Sequence, residues 1–174
     1  MITILTGKQG TGKSFLTKKL IINNTVPKII FDIRNEYPGK LYKNIHDFYT
    51  AIMKKDFPIR IALKNDADIE KAFYLISGIE NVTIVIDEFY YYLDQYSKRS
   101  SLFEAIRFSR HTNQNYFIIS QRISDIPGTI ISQASYIYTF RQTDLKDLKI
   151  LALYEFDPET IKNLPNYKYL AIKK

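Results

Sequence analysis

Residues 7–14 limit the possible folds of this chain more than any other stretch. Gly7-Lys8-Gln9-Gly10-Thr11-Gly12-Lys13-Ser14 reads G-x-x-x-x-G-K-S, the P-loop or Walker A pattern. It follows the apolar run Ile2-Thr3-Ile4-Leu5, which reads as a strand, and precedes Phe15 to Ile21, which reads as a helix. Strand, glycine-rich turn and helix is the context in which successive backbone N–H groups turn inward on a phosphate, backed by the positive end of the helix. Lys13 is then placed for the β- and γ-phosphates and the Ser14 hydroxyl for Mg²⁺. The bland alternative is a glycine-rich turn that binds nothing, and these flanks argue against it.

At 174 residues the chain is most simply one domain, 1–174, with room for a substantial core. No apolar run approaches the roughly 20 residues of a membrane-spanning helix. The first apolar run leads directly into the P-loop, so no signal peptide is expected. There is no cysteine, which excludes disulfides and thiolate metal sites, and His46 and His111 are too few for a histidine metal site. A net charge of +7 is compatible with a polyanionic partner such as nucleic acid, although a generic basic surface would look the same.

A second informative stretch is Val82-Thr83-Ile84-Val85-Ile86-Asp87-Glu88. Its continuous β-branched run reads as a strand buried on both faces, as in a parallel sheet, and it ends in two carboxylates. In P-loop enzymes an acid at that place holds Mg²⁺, which fits Asp87, while Glu88 is free to polarise an attacking water. Tyr116 to Gln121 is another buried strand. At its tip, Gln121 can reach a γ-phosphate or serve as a structural amide. An intervening strand would separate Lys13 from Glu88, but spacing does not give strand order.

The remaining elements follow from periodicity and turn residues. Strands are expected at Lys28–Asp32, Pro58–Leu63, Tyr136–Arg141 and Tyr167–Ile172, and helices at Ile45–Lys55, Asp66–Ile76, Leu102–Arg110, Thr129–Gln133, Asp144–Tyr154 and Pro158–Ile161. The fold expected is α/β: a RecA-like, mostly parallel central sheet flanked by helices. From spacing alone, Asp32 and Glu36 read as a solvated loop. Phe89 to Ser101 is aromatic and then basic. Its tyrosines either pack inward or stack on bases, and Lys98 and Arg99 either touch nucleic-acid phosphates or are solvated.

Taken together, Gly7–Ser14, Ile84–Glu88 and Ser120-Gln121-Arg122-Ile123-Ser124-Asp125-Ile126, with Ser132-Gln133 following, resemble the FtsK/HerA superfamily of DNA-pumping ATPases. Asp32 with Glu36-Tyr37 resembles that superfamily's D-x-x-x-E-Y motif. The chain is almost a bare motor core and in this is similar to the genome-packaging ATPases of membrane-containing icosahedral viruses, of the tectivirus and turreted archaeal types. The resemblance implies ATP and Mg²⁺ as cofactors and double-stranded DNA as the cargo. It also implies a homo-oligomeric ring, hexamer or pentamer, and an arginine finger reaching a neighbour's nucleotide. Arg110 is the first choice for the finger, with Arg107 and Arg122 as alternates. Implied surroundings are the host cytoplasm or the packaging vertex, with capsid-vertex or membrane proteins as further partners.

Alternatives are a conjugation or partition motor of the same superfamily, a small P-loop kinase and a non-catalytic nucleotide-gated protein. A kinase would need an arginine-rich lid that the sequence does not display. A Zot-like phage-assembly protein is expected to carry a membrane segment.

Overall fold

The computed structural model describes residues 1–22, 25–92 and 100–174. Runs of isoleucine and valine build the strands β1 (Ile2–Thr6), β2 (Lys28–Phe31), β4 (Ile59–Ile61), β5 (Thr83–Ile86), β6 (Asn115–Ser120) and β7 (Tyr136–Thr139). Two short edge strands, β3 (Leu41–Tyr42) and β8 (Leu170–Lys173), complete the sheet. Among the described residues the order is β3-β4-β2-β5-β6-β1-β7-β8. Every pairing is parallel except β7 with β8.

Side chains alternate across the sheet and so feed two cores. Ile2, Ile4, Ile29, Phe31, Ile84, Ile86, Tyr116 and Ile118 point to one face. Covering that face are α2 (Ile45–Met53), α3 (Asp66–Ser77), α4 (Ser100–Phe108), α5 (Gly128–Gln133), α6 (Leu145–Ala152) and α7 (Pro158–Lys162), whose apolar stripes join the same core. On the other face Leu5, Ile30, Val85, Phe117 and Ile119 pack under Leu16 and Ile21 of α1 (Lys13–Ile22). All four residues of β5 are buried, as its unbroken apolar run requires. Asn44, Asn65, Asp144 and Asp157 cap α2, α3, α6 and α7 through backbone N–H groups of the first turn. Each cap contributes about 1 kcal/mol.

This is the mostly parallel, helix-flanked α/β fold of RecA-like P-loop NTPases that the sequence leads one to expect. Differences are local. β3 is too short to carry a periodic signal and exists because Leu41 and Tyr42 pair with Arg60 and Ile61 of β4. The last strand begins at Leu170, not Tyr167. Tyr167 instead takes a left-handed conformation (φ 63°) and its backbone N–H donates to the Thr11 carbonyl at 2.9 Å. Phe89 and Tyr92, in a 3-10 turn (Phe89–Tyr92), are buried. The Tyr92 ring meets Phe31 and Phe73 edge-on at 5.4 and 6.0 Å. These two aromatics therefore pack inward and present no face to a partner.

Candidate nucleotide site

Parallel strands deliver their carboxyl ends to one edge of the sheet, and there the informative residues meet. β6 lies between β1 and β5, so two strand spacings, about 10 Å, separate the P-loop strand from the carboxylate strand. In register, Thr6 stands beside Ser120, and Ile118 beside Ile86. The residues that follow these strands, Gly7, Gln121 and Asp87, thus share one rim.

The P-loop wraps the N-terminus of α1. At Gly12 φ is +109°, and an added Cβ would meet the Tyr167 ring at 2.8 Å. Gly7 lies so close to Phe140 that a Cβ would come within 2.5 Å of its Cβ. Both positions therefore exclude a side chain. Thr11 Oγ1 donates to the Lys8 carbonyl at 2.7 Å, closing the turn. Lys13 is 8% exposed, and its ammonium donates to the Gly7 and Lys8 carbonyls at 2.6 and 3.0 Å. Burial lowers its pKa, while the carboxylates of Glu88, Asp87 and Glu36 oppose that shift. A cleft of about 300 Å³ opens beside it, lined by Lys13, Ser14, Arg34, Glu36, Asp87 and Glu88.

Asp87 is 4% exposed. Its Oδ1 accepts the Glu88 N–H at 3.0 Å, and its Oδ2 has no hydrogen-bond partner among the described residues. Burial, followed by repulsion from Glu36 and Glu88, pushes its pKa up to about 7. A buried carboxylate with a free oxygen and two acidic neighbours is suited to a cation. Among the described residues no cluster of three or more acidic or histidine side chains can hold a metal unaided. In nucleotide sites Mg²⁺ takes one or two protein oxygens and shares the rest of its shell with substrate phosphates and water. Ser14 and Asp87 both line the cleft and are the side chains that could hold such an ion.

Glu88 stands beyond Asp87 in a left-handed conformation (φ 53°) that turns its side chain back into the cleft. Gln121 Nε2 donates to both its oxygens, at 3.2 and 3.3 Å, and Arg34 Nε to Oε1 at 3.0 Å. Behind Gln121, the buried Gln142 donates to Thr6 Oγ1 at 2.9 Å and to the Gln121 carbonyl at 3.2 Å, tying the ends of β1 and β6 together.

Asp32 and Glu36 part company. Asp32 is fully buried and is not among the residues lining the cleft. Its carboxylate accepts the Glu36 and Tyr37 N–H groups at 2.8 and 3.0 Å and pairs with Arg60, which is 3% exposed, at 2.6 Å. Arg60 also donates to the Gly39 carbonyl. Asp32 therefore shapes the loop, and it is Glu36 that reaches the cleft. Arg34, Arg60, Gln142 and Tyr167 were not foreseen. Arg34 sits inside the D-x-x-x-E-Y motif, whereas nothing in the sequence marks Tyr167. Its ring, 64% exposed, meets the 65% exposed Phe15 ring edge-on at 6.3 Å. Together they form an aromatic lip beside the P-loop on which a purine can stack.

The three arginines differ in their surroundings. Arg122 is committed within its own chain to Asp144 at 2.6 Å and Asp147 at 3.1 Å. Arg107, in the last turn of α4, and Arg110, just after it, are exposed. Arg110 acts on the N-terminal ammonium, which bonds to the Gln114 carbonyl just before β6. That is the sheet edge opposite the P-loop, so Arg110 does not serve its own chain's cleft. Lys98 and Arg99 lie outside the described residues.

Known structures share this fold. The genome packaging NTPase B204 from Sulfolobus turreted icosahedral virus 2, in complex with ATP-gammaS, superposes with a TM-score of 0.79 at 24% identity, over 99% of this chain and 91% of that one. VirB4 of Thermoanaerobacter pseudethanolicus gives 0.67 at 13% identity, over 98% and 88% of the two chains. The N-terminal domain of zonular occludens toxin from Neisseria meningitidis gives 0.53 at 17%, over 83% and 78%. At these identities the likeness carries the fold. No curated protein matches the chain by sequence. The family model for zonular occludens toxin (Zot) matches residues 1–159, most of the chain, which therefore belongs to the Zot family.

Proposed function

We propose that this chain is an ATPase that drives double-stranded DNA, most simply a viral genome into a preformed capsid. One observation carries the reading. A single cleft holds the P-loop lysine, a buried aspartate with a free oxygen, and a glutamate held by a glutamine from the strand between them. The likeness to B204, described as a genome packaging NTPase, supports the choice of cargo.

In this reading Lys13 exchanges the Gly7 and Lys8 carbonyls for the β- and γ-phosphates. Ser14 and Asp87 hold Mg²⁺, which neutralises charge on the phosphate oxygens. Glu88 accepts a proton from the attacking water, and Gln121 orients Glu88 and senses the γ-phosphate. A neighbour in a hexameric or pentameric ring supplies an arginine, a contribution on the order of 10³–10⁵ in rate. Arg110 and Arg107 are free to do this, whereas Arg122 would first have to leave two carboxylates. DNA contacts go mainly to phosphates, as a sequence-blind pump requires. The whole chain acts as one motor unit in the host cytoplasm or at the packaging vertex.

Membership of the Zot family favours a second reading: the same motor serving filamentous phage assembly or conjugation. Among the described residues no helix is long and apolar enough to cross a membrane.

The deciding experiment measures ATP turnover with and without double-stranded DNA, together with the mass of the assembled protein. DNA should stimulate turnover, Lys13→Ala should abolish it, and Glu88→Gln should bind ATP but turn over roughly 100-fold or more slowly. Mixing inactive Arg110→Ala with inactive Lys13→Ala should restore activity. Full activity in a strict monomer would sink the shared arginine, and phosphoryl transfer to a nucleoside phosphate would replace the motor with a kinase.

A further inference from the structure

The loop between β2 and β3 is anchored from below, and this determines what it presents above. Asp32, fully buried, is locked by Arg60 and by two backbone N–H groups of the loop itself. Two residues past that anchor, Arg34 projects into the nucleotide cleft. Its Nε meets Glu88 Oε1 at 3.0 Å, and the side chains are 33% and 10% exposed. Tyr90 lies near enough to act on the same guanidinium. Arg34 is also near enough to Lys13 that its charge, adding to the larger effect of burial, lowers the lysine pKa.

Glu88 therefore has donors on both oxygens: Arg34 and Gln121 on Oε1, Gln121 on Oε2. A carboxylate that accepts from a guanidinium and an amide in this way is engaged by those donors and not by a water. Arg34 is also the residue best placed to change partner. A terminal phosphate brings more charge than one carboxylate and offers the paired oxygens that a guanidinium fork matches. A diphosphate leaves that position empty.

We propose that Arg34 is a positioning residue that parks Glu88 until a triphosphate arrives, then moves to the terminal phosphate and frees the glutamate. The step is an exchange of ion pairs in which no bond is made or broken. It makes the D-x-x-x-E-Y loop a detector of the γ-phosphate within the same subunit. This inference rests on the ATPase reading above.

The test is a double-mutant cycle on thermal stability. Wild type, Arg34→Ala, Glu88→Gln and the double variant are melted without nucleotide, with Mg-ADP and with Mg-ATPγS. Without nucleotide and with ADP, the two substitutions should be non-additive by about 1–4 °C. With ATPγS they should become additive to within about 1 °C. If Arg34→Ala fails to fold, Arg34→Gln replaces it. Additivity in all three conditions would mean that the pair has no energetic content and would overturn the proposal. Equal non-additivity in all three would make the pair a fixed strut and would overturn it too. If neither nucleotide raised the melting temperature of the wild type, the ATPase reading itself would fail and take the switch with it. A shift with both nucleotides but persistent coupling would fail the switch alone.

Discussion

Replacing Arg60 by Met tests how the loop of the nucleotide cleft is held. Arg60 is 3% exposed and brings Nε and Nη2 to Asp32 Oδ2 at 3.0 and 2.6 Å. Methionine fills much of the arginine's volume but carries no charge. Asp32, with no exposure at all, would keep two backbone donors at 2.8 and 3.0 Å and lose its counter-charge. Breaking a buried pair by removing one partner costs about 3–5 kcal/mol. For a chain of this length each kcal/mol moves the melting temperature by about 2–4 °C, so the expected drop is about 6–20 °C. The companion is Arg60→Met with Asp32→Asn, which removes the stranded charge while keeping an acceptor for the loop, and it should recover more than half of the loss. Thermal melts followed by circular dichroism read all three proteins. A loss below about 1 kcal/mol in Arg60→Met would refute the argument, as would a double variant no better than the single.

Two further outcomes follow from the cleft. Asp87 has its folded pKa raised to about 7 from an ordinary 3.8. Between those values the folded protein holds a proton that the unfolded chain gives up, so stability falls as pH rises through this window and the full penalty stands above pH 7. Asp87→Asn should therefore match the wild type near pH 4 and exceed it at pH 8 by on the order of a few kcal/mol. It should also lose Mg²⁺-dependent stabilisation by ATPγS; denaturant titrations at the two pH values check the first part. Tyr167→Ala removes half of the aromatic lip and should weaken ATP binding roughly ten-fold or more, while tripolyphosphate binds within about two-fold. Equal losses for both ligands in calorimetry would remove Tyr167 from base recognition.

Much of this site was legible beforehand because its residues are local signals. A P-loop needs its glycines and lysine at set spacing, since backbone N–H groups and one ammonium must converge on one phosphate. The strand ending in Asp87 and Glu88 needs an unbroken apolar run, since the sheet covers both its faces. The α/β class, most helices and their caps follow from the same short-range rules. What could not be read was which neighbours the fold would bring together. Asp32 and Arg60 are distant in sequence, and only the pairing of β2 with β4 converts an apparent surface acid into a buried anchor. Arg34 meets Glu88 because that anchor holds its loop beside the cleft. Tyr167 reaches the P-loop because a left-handed residue and one backbone hydrogen bond bend the C-terminal segment back across Thr11. The sequence by itself thus determined the groups available, a glycine-rich loop with its lysine and two adjacent carboxylates at a strand end, because those patterns are written within a few residues. Tertiary structure alone decided which acid lines the cleft and which cation pairs with Glu88. Burial and ion pairing depend on strand order, which short-range patterns do not contain.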